Sequence, residues 1–269
     1  SDSSSDDGNN NNNGGNNNTG NALLVSEIIY SNDDNIDGTQ YTDRYFYDGN
    51  KLTSIVEEYS DQGGNSGIDY LYNFIYTNNK ISRVDEYYGD TSTGIEGRYT
   101  FEYDNQGRIS SYDYCYFAGN GTCDYYDTTN LTYSSNGTVT VSTVYNDDST
   151  NEETYQYTLQ LDNNGNIISG YDSESNVSLN YDNQNSPFKN IVGMDAIMLL
   201  EFGTEDLQFN AYNNCTSFNA TFTSNNEGDQ YNYAYDYNEE GYPRQVIATY
   251  QGGNFEGNTV TTTIEINYY

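Results

Sequence analysis

The chain has no histidine and no tryptophan, and among its 269 residues only two are proline, three cysteine and eight basic. Without histidine it lacks the commonest general base and the commonest transition-metal ligand at neutral pH. Zinc centres of the usual kind, Ser-His-Asp triads and Cys-His dyads are therefore excluded. Eight Lys and Arg against 41 Asp and Glu leave a net charge of −33. Such a field repels nucleic acid and anionic membrane surfaces, so neither is expected as a partner. No stretch is apolar for long enough to cross a bilayer as a helix.

The few cysteines give a limited reading. Cys115 and Cys123 flank Tyr-Phe-Ala-Gly-Asn-Gly-Thr, which reads as a hairpin tip, so a cross-hairpin disulfide fits the spacing. Two buried or idle thiols are the alternative. Cys215 is left over, and no pair has metal-ligand spacing.

Acidic chains poor in large apolar residues are often disordered. Here 32 Tyr and 10 Phe supply buried area suited to a pleated, half-buried surface, so the chain is expected to fold. Residues 1–21, SDSSSDDGNNNNNGGNNNTGN, have no hydrophobic pattern and read as a disordered tether. The rest, 22–269, reads as one antiparallel β-hairpin repeat domain.

The repeat is visible in three segments: Lys51-Leu-Thr-Ser-Ile55, Lys80-Ile-Ser-Arg-Val84 and Arg108-Ile-Ser-Ser-Tyr112, which stand 29 and 28 residues apart. Thr138–Val141 and Asn166–Ile168 continue the spacing, and Arg244–Ile247 restarts the motif. A fixed period of this size marks a serial supersecondary unit. Each copy follows a turn such as Asp48-Gly-Asn50, Asn78-Asn79 or Asp104-Asn-Gln-Gly107. Each turn follows a strand with aromatics at every second position, as in Tyr70, Tyr72, Phe74 and Tyr76 or Tyr231, Tyr233, Tyr235 and Tyr237. In the return strands the apolar residues stand three apart, Leu52 with Ile55 and Ile81 with Val84, which predicts a β-bulge after the turn. Lys51, Lys80, Arg108 and Arg244 share the position just after the turn, where they are expected to neutralise carboxylates of neighbouring turns. The fold expected is all-β, a large antiparallel rolled sheet or barrel of serial hairpins. One helix, near 188–202, interrupts it and plugs or covers one face of the sheet.

Two resemblances follow from these residues. The opening SDSSSDD resembles the export signal of mature surface lipoproteins of Bacteroidetes-type bacteria, which implies an outer-membrane lipoprotein, exposed on the cell surface and touching the membrane only through an N-terminal lipid anchor. The pattern at 99–109, Tyr-x-Phe-x-Tyr-Asp-x-x-Gly-Arg-Ile, resembles the tyrosine-aspartate repeats of Rhs-type proteins. The whole arrangement, with Tyr181-Asp182 leading to Pro187-Phe188 and with Asn213-Asn214, is more similar to an uncharacterised Bacteroidetes lipoprotein family. That resemblance implies a rolled, porin-like sheet and brings no catalytic residues.

The candidate sites are few. Asp33, Asn35 and Asp37, followed by Gly38, have the oxygen spacing of a calcium loop, although Arg44 stands where an EF-hand needs Glu. Calcium is the one cofactor this suggests; no other is expected. Adjacent carboxylates such as Glu57-Glu58, Glu152-Glu153 and Glu239-Glu240 could serve a glycosidase, but nothing distinguishes one pair among so many. Tyr112, Tyr114 and Tyr116, set opposite Tyr125 and Tyr126, are the candidate aromatic binding surface. The C-terminal Tyr269 resembles the end of an outer-membrane barrel strand, yet Thr, Asn, Asp and Glu interrupt both faces too often for a lipid-facing band. The function expected is non-catalytic: a binding or accessory subunit of an envelope protein complex, or alternatively a surface glycan-binding protein using exposed tyrosines.

Overall fold

A computed structural model describes residues 22–32, 38–117, 121–146, 153–199, 210–224, 227–252 and 259–269. The tether and the candidate calcium residues Asp33, Asn35 and Asp37 lie outside these. Sixteen antiparallel strands form one closed barrel in sequence order, with β1 sealing against β16. They are β1 (Val25–Asn32), β2 (Gln40–Asp48), β3 (Lys51–Ser60), β4 (Ser66–Thr77), β5 (Lys80–Tyr88), β6 (Gly97–Tyr103), β7 (Ile109–Phe117) and β8 (Cys123–Tyr133). The second half comprises β9 (Thr138–Asn146), β10 (Glu153–Leu161), β11 (Ile167–Tyr171), β12 (Ser175–Tyr181), β13 (Cys215–Phe222), β14 (Gly228–Tyr237), β15 (Pro243–Gly252) and β16 (Val260–Tyr268).

The turns that close the hairpins gather at one end of the barrel. The β4–β5 turn is two residues, Asn78 and Asn79, both at positive φ (51° and 62°), the conformation that tight hairpin loops require and Asn tolerates. In the longer turns the side chain of Asp104 accepts from the backbone N–H of Gln106 and Arg108, and Asp162 does the same for Asn164 and Asn166. Asn238 repeats the arrangement with Glu240 and Tyr242.

After these turns the ladder slips by one residue, as the three-residue apolar spacing predicts. Register shifts fall at Phe46/Tyr47, Ile75/Tyr76, Glu102/Tyr103, Gln160/Leu161 and Asp236/Tyr237. At most of these bulges a tyrosine hydroxyl from farther along the chain closes on the backbone. Tyr103 donates to the carbonyl of Ile81 (2.7 Å), Tyr133 to Ile109 (2.9 Å) and Tyr181 to Ile167 (2.8 Å). Tyr235 reaches Cys215 (2.6 Å), Tyr268 reaches Pro243 (2.7 Å) and Tyr47 reaches Val25 (2.8 Å). Tyr76 instead accepts from the Leu52 N–H (3.1 Å) and donates to the Val192 carbonyl (2.9 Å). Burial raises these phenols well above their ordinary range, Tyr76 and Tyr133 to about 12, so they stay neutral donors.

The basic residues after the turns do not pair across to neighbouring turns as expected. Arg108 binds Asp104 of its own turn (2.7 Å) and lies over the Tyr133 ring at 4.1 Å. Lys80 donates to the Gly107 carbonyl (2.7 Å) above the Tyr103 ring, and Lys51 lies over Tyr76. The clasping tyrosine brings its ring face to the cation, which a ring attracts through its quadrupole.

Side chains alternate across the wall. On β9 and β10 the inward set Val139, Val141, Tyr157 and Leu159 belongs to the core, while Thr138, Thr140, Ser142, Gln156 and Thr158 point out. On β12 and β13 Val177, Leu179, Phe218 and Ala220 face in, and Asn176, Ser178, Asn219 and Thr221 face out. A lipid-embedded barrel needs the reverse polarity, an apolar band outside. Among the described residues no helix is long and apolar enough to cross a membrane.

A barrel of this many strands is too wide for its own side chains to fill. The connection 182–214 between β12 and β13, at the tight-turn end, supplies the missing volume. Its Phe188, Ile191, Met194, Ile197 and Met198 are buried in the same cluster as the wall. The Val192 N–H binds the Asn50 carbonyl, Asn190 binds the Leu23 carbonyl, and Phe188 packs on the Tyr45 ring at 6.0 Å. The helix expected near 188–202 is a single turn, α1 (Met194–Ile197), preceded by turns. Gly193 breaks helical geometry at φ 84° where the chain passes Ile81. Residues 200–202 lie outside the described part.

Tyr235→Phe deletes one clasp hydroxyl and leaves the Cys215 carbonyl without it. The expected loss is about 1–3 kcal/mol in urea denaturation, against under about 0.5 kcal/mol for Tyr126→Phe on the outer wall. Equal small losses would contradict the clasp.

Candidate binding site in the barrel lumen

The plug floors the barrel at the tight-turn end and leaves a cavity of about 380 Å³ against β1–β6. Phe188, Met194, Ile197 and Met198 form its floor. Its wall carries aromatic rings, including Tyr45, Tyr72 and Tyr99, and three carboxylates, Asp43, Glu57 and Glu86.

Register explains how acids come to line an aromatic cavity. Asp43 and Glu57 are direct cross-strand partners on β2 and β3, and Tyr72 faces Glu86 across β4 and β5. Glu58, next to Glu57, points out and pairs with Arg44 (2.8 Å). Adjacent carboxylates on a strand take opposite faces, so Glu57-Glu58 does not form a catalytic pair. Glu239 and Glu240 sit in the β14–β15 turn, and Glu152 lies outside the described residues.

Glu86 accepts a hydrogen bond from the Tyr114 hydroxyl (2.7 Å). Burial pushes its carboxyl above the usual range; the Tyr114 bond opposes the rise and the charge of Glu96 adds to it. Gly97 makes room for this contact, since a Cβ there would collide with the Tyr114 hydroxyl and the Glu86 carboxylate.

Tyr114 belongs to a ladder that climbs the inner wall. Phe101 and Tyr99 lie parallel at 6.0 Å; Tyr99 meets Tyr114 at 4.5 Å. Tyr114 meets Tyr116 edge-on at 4.5 Å, and Tyr116 stacks on Tyr125 at 4.4 Å. Tyr112 packs between Tyr99 and Phe101 near the base. Tyr116 and Tyr125, both 37% exposed, reach the rim. Four of the five tyrosines singled out from the sequence thus share one inward path. Tyr126 does not: it pairs with Cys115, points outward and is 51% exposed. Its neighbour Cys115 is joined to Cys123 by a disulfide with Cα atoms 5.8 Å apart. Cys215 is buried, and burial raises its thiol to about 12, so it is an inert core residue.

The residues shared with the lipoprotein family, Tyr181-Asp182 and Asn213-Asn214, tie the two ends of the plug together. Asp182 accepts from the Asn214 N–H (3.1 Å) and its side-chain amide (3.1 Å), and also from the Tyr237 hydroxyl. These residues build the floor of the lumen. Sequence reasoning missed Asp43 and Glu86, whose only signal is their place in the inward phase of β2 and β5.

A group whose folded pKa is raised favours its neutral form in the fold, so it subtracts stability as pH rises through that pKa. Glu86→Gln keeps an acceptor for Tyr114 without the charge. It is expected to raise the urea midpoint at pH 7, with the gain shrinking as the pH falls to about 4. A lower midpoint at pH 7 would contradict this.

No protein-family model matches the chain, and no curated protein matches it. Among solved structures, the chain is similar to a porin-like protein from Bacteroides vulgatus, with TM-score 0.52 and 12% identity over 92% of this chain and 99% of that one. A porin-like protein from Bacteroides uniformis matches with TM-score 0.44 and 14% identity over 91% of this chain and 96% of that one. The likeness to the B. vulgatus protein is one of fold.

Proposed function

We propose that the chain is a non-catalytic binding protein of the cell envelope that takes a carbohydrate into its lumen. The tyrosine ladder from Phe101 to Tyr125 carries this reading. Aromatic faces offer apolar area to the C–H side of a sugar ring, while phenol and carboxylate groups meet its hydroxyls. A concave, largely apolar pocket with a few placed polar groups is the usual form of a small-molecule site. The ladder runs from the cavity to the rim, so a chain of sugar units has a continuous path.

Two observations support the envelope setting. The fold likeness is to a porin-like Bacteroides protein, and the opening residues resemble a surface-lipoprotein signal. The polar outer wall suits contact with water and leaves membrane attachment to an N-terminal lipid. The absence of any histidine supports a role without catalysis.

The alternative role, docking within an envelope protein complex, has less on its side. Large exposed side chains of the outer wall such as Phe46, Tyr126 and Tyr171 belong to β2, β8 and β11 and form no common patch.

Affinity electrophoresis through a panel of neutral polysaccharides checks the reading. At least one polysaccharide is expected to retard the protein. Tyr114→Ala and Tyr116→Ala should each weaken binding by about tenfold or more, as loss of an aromatic anchor does, while Tyr126→Ala leaves it unchanged. Uniform free migration would refute the proposal.

A further inference from the structure

The basic residues of this chain are few enough to place one by one, and their placement bears on the lumen. Arg44 bridges Glu27 and Glu58 on the outer wall. Arg83 and Arg98 both bind Asp85, also on the outer wall, and Arg244 binds Asp236. Lys51, Lys80 and Arg108 sit at the tight turns over tyrosine rings. Lys189 binds Asn185 in the plug. These are all eight Lys and Arg, and the chain has no histidine. None lines the cavity that holds Asp43, Glu57 and Glu86.

No cationic side chain of the protein therefore balances these carboxylates. Two of them, Asp43 and Glu57, face each other directly across a strand pair, an arrangement in which like charges repel and cost stability. The low-dielectric setting of an aromatic cavity sharpens that cost. The same wall presents the rings of Tyr45, Tyr72 and Tyr99, and ring faces attract an organic cation when it is desolvated. A carboxylate cage with ring walls and no internal cation is complementary to a positively charged organic group. Among the described residues no group of acidic side chains has the arrangement to hold a metal ion.

We propose that the lumen selects a ligand bearing a protonated amine, placed between Asp43, Glu57 and Glu86, with the rest of the ligand on the tyrosine ladder. The inference deepens the carbohydrate reading and rests on it for the class of ligand: an amino sugar with a free amine rather than a neutral or N-acylated one.

Isothermal titration at fixed ionic strength tests it with three probes: the trimer of glucosamine, the trimer of N-acetylglucosamine, and spermidine. The wild-type protein is expected to bind the glucosamine trimer about tenfold more tightly than the acetylated trimer. The double variant Asp43→Asn/Glu57→Gln should lose that preference. Because it relieves a like-charge pair, it should be at least as resistant to urea as the wild type, which separates a binding defect from misfolding. Equal affinity for the two trimers, or a preference that survives the double substitution, overturns the amine inference and leaves the carbohydrate reading standing. If neither trimer binds but spermidine binds the wild type and not the double variant, the amine site holds and the carbohydrate reading falls. No binding of any probe overturns the inference.

Discussion

Each bulge next to a tight turn is held by a tyrosine hydroxyl that arrives from a later strand, and this contact sets the geometry of the barrel. An unpaired carbonyl at a bulge is costly when buried, and the phenol satisfies it without bringing a charge. The partner carbonyls, those of Val25, Ile81, Ile109, Ile167, Cys215 and Pro243, each belong to a residue beside a register shift. One residue type thus fixes the bulge, fills the inner face and, at three turns, lies beneath a cation. A leucine in its place would fill the same volume and leave the carbonyl bare.

Because the clasp repeats, the chain can extend a sheet until it closes, and closure creates the next problem. Sixteen strands enclose more volume than aromatic side chains can occupy. The connection 182–214 folds back to floor the barrel, held at its base by Asp182 and at its far side by Asn50, Tyr76 and Leu23. The result is a cup. Its charges are sorted: the basic side chains serve the outer wall, the turns and the plug, while carboxylates remain inside with the rings. That sorting gives the lumen a chemistry distinct from a water-filled pore and from a sealed core.

Much of the hairpin was legible in the sequence, because alternation and turn chemistry are local. Tyr70, Tyr72, Phe74 and Tyr76 declare their shared face, and the spacing of Leu52 and Ile55 announces the bulge. Closure of β1 on β16 was not legible, since it depends on a pairing across the whole chain. The face of a given residue was also hard to read where a bulge changes the phase of a strand. Tyr125 and Tyr126 look equivalent in the sequence, yet the slip at Tyr116/Phe117 sends one into the lumen and the other to solvent. The facing of Asp43 and Glu57 is likewise a matter of register. The helix near 188–202 was overestimated because its apolar spacing serves burial on several sides at once, and Gly193 interrupts it.

The central claim is a wall that is polar outside and aromatic and acidic inside, the opposite of a membrane barrel. Purifying the unlipidated chain without detergent and floating it with phospholipid vesicles tests this most directly. The account predicts a monodisperse protein that stays out of the vesicle fraction. A requirement for detergent, or insertion into the vesicles, would contradict it.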